Sequence, residues 1–123
     1  MIKKFFKNCL IFLFGNKLRI MKMQNGLFKG IFLEINIKNQ LALIFGSPEV
    51  HLQEVLKKYI KADDIVFDIG ANIGYISIAM SKLVGEKGKV YSFEAIPETA
   101  KKFMRNIPRQ MYLFFLQCAK LDQ

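Results

Sequence analysis

Two carboxylates frame a glycine turn in this chain. In V-F-D-I-G-A-N-I-G-Y-I-S-I, residues 66–78, an apolar run carries Asp68, Gly70 and Gly74 enclose Ala-Asn-Ile, and a helical pattern follows. Glycine at 70 permits backbone angles that a side chain forbids and lets a ligand approach the main chain. Glycine at 74 lets the helix start pack close to the strand, and the free N–H groups there can bind a polar or anionic part of a ligand. The next apolar run, K-V-Y-S-F-E, ends in Glu94. An acid about 20 residues past such a turn is positioned to take ribose hydroxyls, each of its oxygens accepting a charge-assisted hydrogen bond.

The spacing also separates two nucleoside cofactors. A dinucleotide fingerprint reads G-x-G-x-x-G, whereas this turn reads G-A-N-I-G. It lacks the second glycine that brings backbone close to a pyrophosphate. Asp68, two residues before the first glycine, favours a cationic or hydrogen-bond-donating ligand and repels phosphate. S-adenosylmethionine has an ammonium, a sulfonium and one ribose, without phosphates, and fits better than NAD. A nicotinamide-binding domain remains the third reading.

These residues need a scaffold. Ile65–Ile69 reads as a short buried parallel strand, and Ile73, Ile76, Met80, Leu83 and Val84 form a helical face stopped by Gly85. Lys89–Phe93 is a second strand. Pro97 opens a helix with Ala100, Phe103, Met104 and Ile107 on one side, ended by Pro108, and 111–118 reads as a third strand. The order β-α-β-α-β implies an α/β, Rossmann-like parallel sheet with helical crossovers, one mononucleotide-binding half of a doubly wound fold. Upstream, 31–37 and 41–45 read as two short strands joined at Asn39-Gln40, a hairpin. Ser47-Pro48 then opens a helix that ends near Lys61, with Leu52, Val55, Leu56 and Tyr59 on its apolar face. His51, the only histidine, has no partner residue in view and reads as a surface or boundary residue.

Composition bounds the rest. A chain of 123 residues suits one domain, and 52% hydrophobic against 24% charged residues excludes a disordered segment. Cys9 and Cys118 have neither disulfide-framework nor metal-ligand spacing, so reduced thiols in a cytoplasmic protein are expected, and no metal. Of the net +9, +7 lies in residues 1–30, which hold Lys3, Lys4, Lys7, Lys17, Arg19, Lys22 and Lys29 and no acid. Residues 1–29 therefore form a basic amphipathic arm before a domain over 30–123. The apolar run Cys9–Phe14 is too short for a signal peptide or a membrane span. The arm suits either packing on the domain or peripheral contact with an anionic membrane. No nucleic-acid module is present, and nucleic acid is not expected as a partner.

The run V-F-D-I-G-A-N-I-G-Y-I-S-I-A-M-S-K-L-V-G-E-K-G-K-V-Y-S-F-E-A-I-P resembles the N-terminal half of a class I S-adenosylmethionine-dependent methyltransferase, specifically the FkbM family. The likeness covers about 46 to 107, with Ala95 where that family usually carries proline. It implies that Asp68, Gly70, Asn72 and Gly74 border the methionine part of the cofactor. Glu94 takes the ribose hydroxyls, and Ala95 and Ile96 flank the adenine. Tyr75 opens the helix near the site, where packing explains it equally well. The resemblance implies O-methyl transfer to a small-molecule or glycan acceptor. The later strands, substrate contacts and any general base of that family have no counterpart here, so the catalytic residues are unknown. A truncated chain, weak or inactive alone, is expected. The alternative is a non-catalytic cofactor-binding module.

Overall fold

A computed structural model describes Phe5, Cys9, Phe12, Leu13 and residues 17–44, 50–107 and 113–117. Contacts divide the chain into two units, Met1–Val50 and His51–Gln123. The boundary expected at residue 29 falls inside the first unit.

In the first unit, β1 (Leu18–Lys22) pairs antiparallel with β2 (Phe32–Asn36), in register from Leu18 opposite Asn36 to Lys22 opposite Phe32. A 3-10 turn at Gly26–Phe28 lies between them and buries Phe28. Met23 N–H donates to the Ile31 carbonyl (2.7 Å) and Gly30 N–H to the Met23 carbonyl (2.9 Å), closing the connection. Leu33 and Ile35 are buried while Phe32 is exposed, the alternation a one-sided sheet requires.

The hairpin is therefore not the one expected. Its second strand is the segment predicted as the first, and 41–44, the described part of the expected second strand, is helical: Ile37–Ile44 is helix α1. The cause is a cap. Asn36 Oδ1 accepts the Lys38 N–H (3.0 Å), and Gln40 Oε1 accepts the Asn36 N–H (2.8 Å). Side chain and backbone thus satisfy each other at the helix start. Asn39-Gln40, read as a turn, lies inside this helix.

The second unit begins at His51, the second residue of α2 (Val50–Tyr59). The proposed start at Ser47-Pro48 lies outside the described residues. Of the predicted apolar face only Leu56 is buried; Val55 and Tyr59 are exposed, and the buried side pairs Leu56 with Gln53. His51 is fully exposed, its Nδ1 3.7 Å from Glu54. Three parallel strands follow: β3 (Ile65–Ile69), β4 (Lys89–Glu94) and β5 (Leu113–Gln117), in spatial order β3-β4-β5. Helices α3 (Tyr75–Val84) and α4 (Pro97–Asn106) are the crossovers. The α/β, Rossmann-like β-α-β-α-β expectation holds, and Gly85 stops α3 as read, with φ +71°. Pro108 and Cys118 lie outside the described residues.

The core lies between the helices and one face of the sheet. Helix α3 packs on β3 and β4, and α4 on β4. Ile78, Ala79, Val84, Val90 and Phe103 are fully buried there. The buried side of α3 is rotated from the predicted one: Ser77, Ile78 and Ser81 face inward, while Ile76, Met80 and Leu83 are half-buried. On α4, Met104 is exposed and Asn106 is buried in its stead. The other sheet face carries Ile65, Phe67 and Ile69, each at least 60% exposed. Phe67 stacks beside Tyr91 and Phe93, with centroids 5.3 and 6.3 Å away.

Candidate functional site

The site is built on the carboxyl ends of β3 and β4, where open α/β sheets bind ligands. Beyond β3 the chain turns through Gly70, Asn72 and Gly74 with φ of +80°, +52° and +90°. Asparagine is among the few side-chain-bearing residues that tolerate the left-handed region. The N–H groups of Gly70 and Ala71 both donate to the Phe93 carbonyl at 2.9 Å, folding the turn over the end of β4. Gly74 N–H closes it on the Ala71 carbonyl (2.9 Å). The two glycines differ in surroundings. A Cβ on Gly74 would stand 3.1 Å from the Phe103 ring, which would have to give way by a few tenths of an ångström. A Cβ on Gly70 would meet nothing within 4 Å, which leaves the main chain open to a ligand.

Glu94 joins the two strand ends. Its Oε2 accepts the Asn72 N–H (2.9 Å) and its Oε1 the Ile96 N–H (2.8 Å). Each carboxylate oxygen keeps a further lone pair for a ligand hydroxyl. The residue is 7% exposed, so the carboxylate is held at a fixed angle. Asn72, Ala95 and Ile96 are exposed around it.

Asp68 sits beneath the turn. It lies opposite Ser92 in the β3–β4 register, and both side chains point to α3. Ser92 Oγ donates to Ser77 Oγ (2.9 Å), and Ser77 Oγ donates to Asp68 Oδ2 (2.5 Å). Burial raises the Asp68 pKa above its ordinary value, while hydrogen bonds from the Ser77 hydroxyl and backbone N–H pull it down. Ser77 is the third residue of α3, so Asp68 satisfies an end N–H the helix cannot and places an anion at its positive end. From α4, Asn106 Nδ2 donates to the Ile73 carbonyl (2.9 Å), fixing the turn from a second side. Tyr75 is buried at the first position of α3.

The structure thus gathers Asp68, Gly70, Asn72, Gly74, Tyr75, Glu94, Ala95 and Ile96 at one end of the sheet. Sequence reading missed Ser77, Ser92 and Asn106. Their signal was polarity out of place: a serine inside the strand K-V-Y-S-F-E, another on an apolar helix face, an asparagine at the end of α4. Among the described residues no three His, Cys, Asp or Glu side chains gather as metal ligands.

Comparison with known proteins specifies the family. Residues 29–117 match the model of the protein-L-isoaspartate(D-aspartate) O-methyltransferase (PCMT) family. A protein-L-isoaspartate O-methyltransferase of Methanothrix thermoacetophila is 43% identical over 47 residues, 38% of this chain and 22% of that protein. One from Fervidobacterium nodosum is 37% identical over 59 residues, 46% of this chain and 30% of its own. This chain spans 22–30% of the length of the curated relatives it matches. In fold, a candidate transferase of Pyrococcus horikoshii superposes with a TM-score of 0.54 at 20% identity, over 84% of this chain and 37% of that one. A candidate rRNA methylase of Clostridium thermocellum gives 0.51 at 20% identity, over 67% and 43%. The FkbM assignment is corrected: D-I-G-A-N-I-G and the following acid mark the class I methyltransferase fold, and the wider match goes elsewhere. The chain belongs to the protein-L-isoaspartate(D-aspartate) O-methyltransferase (PCMT) family.

Proposed function

We propose that residues 51–117 form the cofactor-binding part of a methyltransferase that takes S-adenosylmethionine and directs its methyl group to a carboxylate oxygen. The acceptor class is the L-isoaspartyl residue of proteins, supported by the family match and by the printed names of the relatives. The single observation that carries the reading is Glu94, whose carboxylate two backbone amides hold beside an open glycine turn.

The residues fit that cofactor. Glu94 would take the ribose hydroxyls, Ala95 and Ile96 would flank the adenine, and the turn from Gly70 through Asn72 to Gly74 would border the amino-acid end, with Tyr75 behind it. Asp68 would act on that end chiefly through the turn, since its Oδ2 is engaged by Ser77. Two carboxylates at the strand ends disfavour a pyrophosphate, which argues against NAD. When bound, S-adenosylmethionine supplies an electrophilic methyl on sulfur. The chain's part is to hold and orient. An acceptor carboxylate is already ionised near neutral pH, so transfer to it demands positioning rather than proton removal.

S-adenosylhomocysteine titrated into the chain and into Glu94→Gln tests this. The amide loses the charge of the acceptor, and affinity should fall about tenfold or more. Equal affinity in the two proteins would refute the assignment.

A further inference from the structure

The N-terminal unit carries a surface that the proposed cofactor site does not use. Phe5, Cys9, Phe12 and Leu13 are helical and exposed, Phe5 at 74% and Phe12 at 89%. Their spacing, i, i+4, i+7, i+8, is that of one helical stripe. At the same helical period Lys3, Lys4 and Lys7 fall on the opposite side of the sequence pattern. The outer face of the β1–β2 hairpin repeats the chemistry. Ile20 is 70% and Phe32 57% exposed, and the Lys22 ammonium lies 5.9 Å from the Phe32 ring centroid. No acid occurs before Glu34, while seven cations do.

We propose that this unit docks on the surface of an anionic lipid bilayer, its exposed Phe, Leu and Ile side chains entering the headgroup–acyl boundary and its lysines and Arg19 meeting lipid phosphates and carboxylates. Charge complementarity selects the anionic surface: cations without acids are attracted to negatively charged leaflets. Exposed aliphatic side chains select lipid over nucleic acid. Leu13 and Ile20 have no flat face for a base to stack on, yet hydrocarbon accepts them. Among the described residues no helix is long and apolar enough to cross a membrane.

Co-sedimentation of the full chain with vesicles tests the proposal. One set is phosphatidylcholine alone; the other includes phosphatidylserine. Binding should appear only with phosphatidylserine and weaken steeply with salt. Each cation near such a surface contributes about fivefold to partitioning, so Lys3→Gln, Lys4→Gln and Lys7→Gln together should lower it about 100-fold. Phe5→Ser with Phe12→Ser should lower it about tenfold or more, with an unchanged far-ultraviolet circular dichroism spectrum. The salt dependence of the unaltered chain reads the same interaction without any substitution. Equal binding to both vesicle types, no binding to either, or binding to a single-stranded RNA in preference to vesicles would each overturn the proposal.

Discussion

Asp68, Ser77 and Ser92 show how one buried row of polar atoms fixes the start of a helix. Both hydroxyl protons run toward the carboxylate, so removing the middle member leaves Asp68 short of a donor and Ser92 short of an acceptor. Ser77→Ala should cost about 1–3 kcal/mol of unfolding free energy in urea, and an unchanged midpoint would contradict the chain of bonds. The pH dependence carries a sign. Burial raises the Asp68 pKa above the ordinary 3.8. The folded chain therefore binds that proton more tightly than the unfolded one. The contribution of Asp68 to stability is greatest below the ordinary value and falls as pH rises through the window just above it. Asp68→Asn removes the titration, so its melting temperature should decline less across that window. Equal slopes for the two proteins would sink this reading. Asp68 and Glu94 were legible in the sequence because each ends or nearly ends an apolar run. Ser77 and Ser92 were not, because a serine in an apolar stretch shows no partner until the fold brings β3, β4 and α3 together.

The glycine turn makes the elements meet, and its two glycines separate stability from binding. At Gly74 both φ and the Phe103 ring disfavour a Cβ. Gly74→Ala should therefore destabilise by roughly 2 kcal/mol or more, through backbone strain and displaced packing. Gly70→Ala faces strain alone, about 1–2 kcal/mol, but its methyl projects into the open space at the turn. It should lose S-adenosylhomocysteine affinity out of proportion to its smaller fall in melting temperature. The same ranking for both losses would contradict the distinction. The strand–turn–helix order was readable because its period changes at the glycines. The hairpin was not. Leu41–Ile44 is a short apolar run that suits strand or helix equally, and the capping bonds at Asn36, from the Lys38 N–H and to the Gln40 side chain, decided for helix. Helix α2 shows the converse. Its i, i+3, i+4, i+7 pattern is present, yet Val55 and Tyr59 remain exposed, since periodicity tells which residues share a face and not whether anything covers it.

At the scale of the molecule, α3 and α4 cover one face of the three-stranded sheet, and among the described residues the other face is open at β3. Ile65, Phe67 and Ile69 lie side by side on the open face, and β3 is an edge strand among the described residues. An apolar face beside an unpaired edge favours association. Phe67→Lys should reduce self-association in sedimentation while changing the melting temperature little, and an unaltered association profile would show that other surfaces drive it. The class I methyltransferase fold was readable from one end of the sheet, because open α/β sheets place their ligand-binding residues there. The family was misread because D-I-G-A-N-I-G marks the class I methyltransferase fold and not one family within it, which the match over residues 29–117 decides. The most direct measurement is therefore on the cofactor: calorimetric titration of the chain with S-adenosylhomocysteine and, separately, with NAD. S-adenosylhomocysteine should bind and NAD should not. Binding of NAD alone would contradict the reading of Glu94 and its glycine turn.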